Sequence, residues 1–212
     1  MTSWRDKHPV GFLDNGDETT ASMLMETIHI TRLEPKPLSR FDRYLQPQDL
    51  AGVDADEVYP NVFIGDAGAA KNKQYLKKMG ITHVLNTAEG NRFGMVNTNQ
   101  LYYRDTNIKY MGLQLLDIPI TDIGVHFQDA SNFIEDGIRR GGKVLVHCLM
   151  GMSRSSTCVL AYLMIKENMT AVEALRVVCK NRYIRPNDGF LRQLADLDNK
   201  LRRERARSYS KV

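Results

Sequence analysis

Cys148 and Arg154 frame a short run, Leu149, Met150, Gly151, Met152 and Ser153, with His147 in front of it and Ser155 behind. A cysteine thiol of ordinary pKa, ~8.5, is mostly protonated at neutral pH. Set among backbone N–H groups at a helix start and beside an arginine, the same thiol ionises readily and becomes a nucleophile. The amides would hold an anion of phosphate size. The planar fork of Arg154 matches two of that anion's oxygens. Ser155 is placed to hydrogen-bond the sulfur and to stabilise it as a thiolate when it leaves phosphorus. An attack on a phosphate ester also needs a carboxylic acid above the loop, to protonate the departing oxygen. The stretch 114–124 offers two, Asp117 and Asp122, while Asp105 sits at the end of an earlier segment.

These side chains need a strand that stops at Cys148 and a helix that starts near Arg154. Residues 143–147 are apolar and β-favouring and follow the turn pair Gly141-Gly142; residues 154–167 are strongly apolar and read as a buried helix. Upstream, 57–59 and 62–65 read as two short strands bent at Pro60-Asn61, 67–79 as a helix closed by Gly80, and 81–86 as a buried strand. Residues 88–100 form a loop, 102–104 and 109–113 are further strand candidates, and 127–138 carries an apolar helix face. Thr170 with Glu173 predicts a capping box opening a helix to about 182, and 188–205 is the last helix. Strands alternating with helices predict an α/β domain, three layers deep, with a central and mostly parallel sheet. Cys148 would then lie at a strand's carboxyl end, where such sheets keep their ligand crevice.

The run His147-Cys148-x-x-Gly151-x-Ser153-Arg154-Ser155 resembles the signature loop of cysteine-dependent protein phosphatases, in the small atypical dual-specificity branch of VHR type. The likeness extends over roughly residues 56–200 and includes Gly80-Ile81-Thr82-His83-Val84-Leu85-Asn86, Ala88-Glu89-Gly90, Val96-Asn97-Thr98-Asn99, Ala161-Tyr162-Leu163-Met164 and Pro186-Asn187-Asp188-Gly189-Phe190. It implies that Cys148 forms a phosphocysteine, that Arg154 and the loop amides hold the phosphoryl group, and that Asp117 is the acid. By the same likeness His147 holds the loop and lowers the thiol pKa, and Asn187 hydrogen-bonds the back of the loop. Phe93 and Met95 flank the pocket mouth, and Arg182 matches an arginine that takes a second phosphate. Substrate contacts are thus expected from His147, Leu149, Met150, Gly151, Met152, Ser153, Arg154, Arg182, Phe93, Met95 and Asn187. The loop interior has no lysine or further histidine, which favours phosphoprotein over phosphoinositide substrates.

Composition sets the outer limits. The chain has 212 residues, 42% of them apolar, enough for one domain with a real core. Residues 1–55 read as an extension, a flexible tail to about residue 20 and then short helices at 22–33, capped by Ser22, and at 41–50. Residues 56–206 are the expected catalytic domain and 207–212 a basic tail. No apolar run is long enough to span a membrane, and no signal-peptide core is evident. Three cysteines give no disulfide framework, so a reduced setting, cytoplasm or nucleus, is expected. Cys158 and Cys179 fall at helical core positions. A formal net charge of +4 suits acidic, phosphorylated partners but does not argue for nucleic acid. The expected reaction needs no metal and no cofactor. Its partners are phosphorylated proteins, with MAP kinases among the family's targets, and without nucleic acid or membrane insertion. Monomer and weak homodimer stay open.

Overall fold

The computed structural model describes residues 18–31 and 52–209. The expectations for residues 1–17, for the helical piece at 41–50 and for Lys211 lie outside them. Among the described residues five strands form one sheet. The strands are β1 (Ala55–Tyr59), β2 (Val62–Gly65), β3 (Ile81–Asn86), β4 (Lys109–Gly112) and β5 (Lys143–His147), in the order β1-β2-β5-β3-β4. Only β1 runs antiparallel, against β2; β2, β5, β3 and β4 are parallel to one another. The turn between β1 and β2 uses Asn61 at φ 63°, a left-handed conformation that asparagine tolerates.

Alternation along the strands divides the core between the two faces of the sheet. Val62, Ile64, Leu85, Val144 and Val146 point to the larger side. There they meet α4 (Phe127–Arg139), α5 (Arg154–Lys166), α6 (Ala171–Asn181) and α7 (Asp188–Tyr209). Phe63, Val84 and Leu145 point to the other side, against α2 (Ala67–Lys71) and α3 (Lys73–Met79). The result is a three-layer α/β arrangement in which α5 is buried almost all round: every residue from Arg154 to Met164 is inside.

Local chemistry explains where the elements differ from expectation. The helix expected over 67–79 is two helices, because the Asn72 carboxamide accepts from Tyr75 N at 2.9 Å and caps a new helix there. Residues 102–104 form turns, not a strand. Their aromatic rings serve another purpose: Tyr102 Oη donates to Lys71 O at 2.6 Å and Tyr103 Oη to Ala70 O at 2.8 Å, closing the end of α2. The first helix, α1 (Ala21–Ile30), is capped by Thr20, whose Oγ1 accepts from Met23 N, rather than by Ser22. It packs on α6 and α7 with Leu24 and Ile28 buried, so these side chains are core. Residues 18–20 are likewise tied down: Thr19 donates from N to Asn199 Oδ1 at 2.8 Å and from Oγ1 to buried Asp198 at 2.6 Å. The capping box of Thr170 and Glu173 is present as read from the sequence.

Candidate active site

β5 delivers Cys148 to the sheet's carboxyl end, and α5 begins six residues later at Arg154. The chain between them is bound from outside at every carbonyl. Leu149 O accepts from Ala67 N at 3.0 Å, Met150 O from Arg182 Nη2 at 3.2 Å and Gly151 O from Arg182 Nε at 2.8 Å. Met152 O accepts from Arg185 N at 2.8 Å and from Ser156 Oγ at 2.6 Å, and Ser153 O from Ser156 Oγ at 2.8 Å. In a trans peptide C=O and N–H point opposite ways. Carbonyls held outward therefore turn the amides inward, toward the cysteine. Gly151 N donates to Cys148 Sγ at 3.2 Å. Gly151 itself has φ 67°, and a Cβ there would come within 2.6 Å of Gly65 O, so the position requires glycine.

The Cys148 side chain is buried, with Ser155 Oγ 3.3 Å from its sulfur. Burial pushes the thiol's pKa up. The Ser155 hydroxyl and amide, the positive charge of Arg154 and the Met152 amide pull it down, and the balance is a thiol below its ordinary value. Cys158 and Cys179 lack such donors, and burial pushes both up to about 12. His147 lies wholly inside. Its Nδ1 is 3.2 Å from Cys148 O and must carry the proton to bond it, while Nε2 has no partner. Burial, against that one bond, holds the ring down to about 4, so it is neutral at physiological pH.

Arg154 is buried with its head group in the site. Nη1 donates to Leu115 O at 3.0 Å and lies 3.7 Å from Met95 Sδ; Nε has no hydrogen-bond partner and stands 3.6 Å from Asp117 Oδ2. A buried donor without a partner is costly unless an anion is to receive it. The stretch after β4 brings Asp117 over the loop. Its Oδ1 accepts from Ser153 Oγ at 2.7 Å and from Asn187 Nδ2 at 2.9 Å. No such bond joins Asp122 to the loop among the described residues, and Asp105 pairs with Lys73 far from it.

Four expected substrate contacts are placed otherwise, the first of them His147, which is wholly buried with its ring on Cys148 O and cannot reach a substrate. Asn187 holds the acid-bearing stretch and caps Phe190 N, while the Arg185 amide takes the back of the loop. Phe93 is fully in solvent, whereas Met95 of the same loop touches Arg154. That loop is fixed by buried Asn86, whose Nδ2 donates to Val96 O at 3.0 Å and Thr98 Oγ1 at 3.1 Å. Arg182 is 4% exposed, and all its donors are committed: besides the two loop carbonyls, Nη1 binds Asp54 at 2.7 Å and Asp56 at 2.8 Å, and Nη2 binds Asp54 at 2.8 Å. A second phosphate would have to displace two carboxylates there. Asp54 and Asp56 gave no local signal in the sequence, since their partner is more than a hundred residues away. Leu149 and Met150 are exposed at the rim, as are Leu116 and Ile118 beside Asp117.

A nucleophilic sulfur under inward amides, an arginine beside it and a carboxyl group above are the parts needed for phosphoryl transfer to a thiolate. The chain belongs to the dual specificity phosphatase family, whose catalytic domain matches residues 62–200. It is 46% identical to dual specificity protein phosphatase 13B of Mus musculus over 182 residues, 85% of this chain and 91% of that protein. Human DUSP28 is similar in structure, with a TM-score of 0.61 and 26% identity over 70% of this chain and 95% of that one. The human tyrosine phosphatase-like serine/threonine/tyrosine-interacting protein matches with a TM-score of 0.60 and 32% identity over 67% and 93%.

Proposed function

We propose that this phosphatase hydrolyses phosphotyrosine, phosphoserine and phosphothreonine in proteins through a phosphocysteine. In the first step Cys148 Sγ attacks phosphorus, the ester P–O bond breaks, and Asp117 gives its proton to the departing oxygen. In the second, Asp117 takes a proton from water, water oxygen attacks phosphorus, and the S–P bond breaks. Ser155 Oγ–H then stabilises the released thiolate. Arg154 and the loop amides follow the charge on the phosphoryl oxygens through both steps. The observation that carries this reading is the Gly151 amide aimed at Cys148 Sγ at 3.2 Å, in a loop whose carbonyls are all bound outside.

The recognised unit is a single phosphoryl group. The loop interior offers no lysine or histidine for further phosphates, and Arg182 is neutralised by Asp54 and Asp56. The rim of Leu149, Met150, Leu116 and Ile118 would touch uncharged side chains flanking the phosphorylated residue. A thiol nucleophile suits the reducing cytoplasm or nucleus, and MAP kinases remain candidate substrates on the likeness alone.

The test is hydrolysis of phosphotyrosyl and phosphothreonyl peptides beside phosphoinositides and RNA 5′-triphosphate, with Cys148→Ser as control. Peptide turnover that the substitution abolishes, with phosphopeptide binding retained, is the expected result. Faster hydrolysis of the lipid or RNA would overturn the substrate class. Turnover surviving Cys148→Ser would overturn the mechanism. Absence of turnover with binding intact in the unsubstituted chain would make it a phosphate-binding scaffold.

A further inference from the structure

Arg182 does more than fill an interior position. It holds Met150 O and Gly151 O, the oxygens of two consecutive peptide units. The nitrogens of those same units belong to Gly151 and Met152; the first donates to the Cys148 sulfur at 3.2 Å, and the Met152 amide helps to hold the thiol's pKa down. One guanidinium thus grips the outer ends of the two peptides whose inner ends face the nucleophile. Its other donors are fixed by Asp54 and Asp56, at the start of β1, so the grip cannot rotate away without breaking a bidentate pair. A Cβ at Gly151 would meet Arg182 Nη2 at 2.6 Å, a measure of how closely the two are pressed.

Given the reading of Cys148 as the nucleophile, we propose that Arg182, anchored by Asp54 and Asp56, is a positioning residue of the reaction that aims the Gly151 and Met152 amides at the sulfur. It touches neither substrate nor sulfur and acts only through the loop. A buried arginine serving merely to neutralise two carboxylates would be replaceable by lysine. A clamp that must reach two carbonyls and two carboxylates from one planar fork would not be.

The experiment follows the reaction of iodoacetamide with the Cys148 thiol across pH 4.5–9.5 in the whole chain, for Arg182→Lys, Arg182→Met and the pair Asp54→Asn with Asp56→Asn. The sulfur's other charged and titratable neighbours, Arg154, His147, Asp117 and Cys158, stay in place in all of them. Cys158 and Cys179, buried and pushed up to about 12, do not react in that window. The midpoint should rise in Arg182→Lys as in Arg182→Met, by about one pH unit, so that alkylation at low pH is about ten-fold slower and converges with the parent at high pH. The acid limb of kcat/KM for p-nitrophenyl phosphate should move with it. The Asp54 and Asp56 pair should shift it the same way, about three-fold at low pH, and lies far enough from the core to carry the test if Arg182→Met does not fold. An unchanged midpoint in folded Arg182→Lys, or in the aspartate pair, overturns the proposal. An unsubstituted chain that titrates like a free thiol would instead strike the reading of Cys148 as the nucleophile.

Discussion

Below pH 6.5 the unfolded chain takes up a proton on His147 that the folded protein refuses. In the fold the ring is wholly buried and held down to about 4, with Nδ1–H on Cys148 O and no partner for a second N–H at Nε2. A folded-state pKa below the unfolded one means that this contribution to stability is complete above pH 6.5. It is lost as pH falls from there through about 4. At about 1.4 kcal/mol per pH unit, the displacement from 6.5 to about 4 amounts to about 3 kcal/mol, a large share of a typical domain's stability. His147→Asn removes the titration while leaving an amide that can donate to Cys148 O. Urea unfolding at pH 7, 6, 5 and 4.2, followed by circular dichroism, compares the two chains. The variant should be the less stable at pH 7, because the cavity left by the ring costs energy. Its deficit should then shrink by up to about 3 kcal/mol toward pH 4. His83, whose pKa burial and Lys109 also lower, titrates in both chains and cancels. Parallel stability curves for the two chains would refute the buried neutral imidazole.

Asp117→Asn should slow turnover of poor leaving groups, such as phosphotyrosine in peptides, by roughly 10²–10⁴-fold, and p-nitrophenyl phosphate much less. An unchanged rate with a poor leaving group would move the acid to Asp122. Ser155→Ala removes the hydroxyl 3.3 Å from the sulfur, so phosphoenzyme should accumulate and rapid-quench kinetics should show a burst. A burst no larger than the parent's would exclude Ser155 from thiolate release. Leu24→Ala empties a fully buried site under α1 and should cost about 2–5 kcal/mol by urea unfolding. A loss below about 1 kcal/mol would mean that α1 is not part of the folding unit.

The strand–loop–helix around Cys148 was legible because its signals are local: an apolar β run, a glycine that tolerates φ > 0, and an apolar helix at once after it. The Thr170 capping box was legible for the same reason. What escaped depends on partners distant in sequence. Tyr102 and Tyr103 read as strand residues, since aromatic rings favour half-buried sheet surfaces; their hydroxyls instead close a helix thirty-odd residues upstream. Arg182 read as an open phosphate ligand because nothing beside it announces Asp54 and Asp56. Asn187 read as a ligand of the back of the loop, but it bonds Asp117, seventy residues away in sequence, a partner that no local spacing encodes.

The family match begins at Val62, inside β2, yet Asp54, β1 and α1 all precede it. A recombinant fragment trimmed to 62–200 would bare the groove that Leu24 and Ile28 fill. It would also leave Arg182 as a charge enclosed by protein without its counterions. Such a fragment would be prone to aggregate, and any weak activity measured on it would describe the truncation rather than the enzyme. Expression boundaries for this chain are therefore a catalytic decision as much as a matter of solubility.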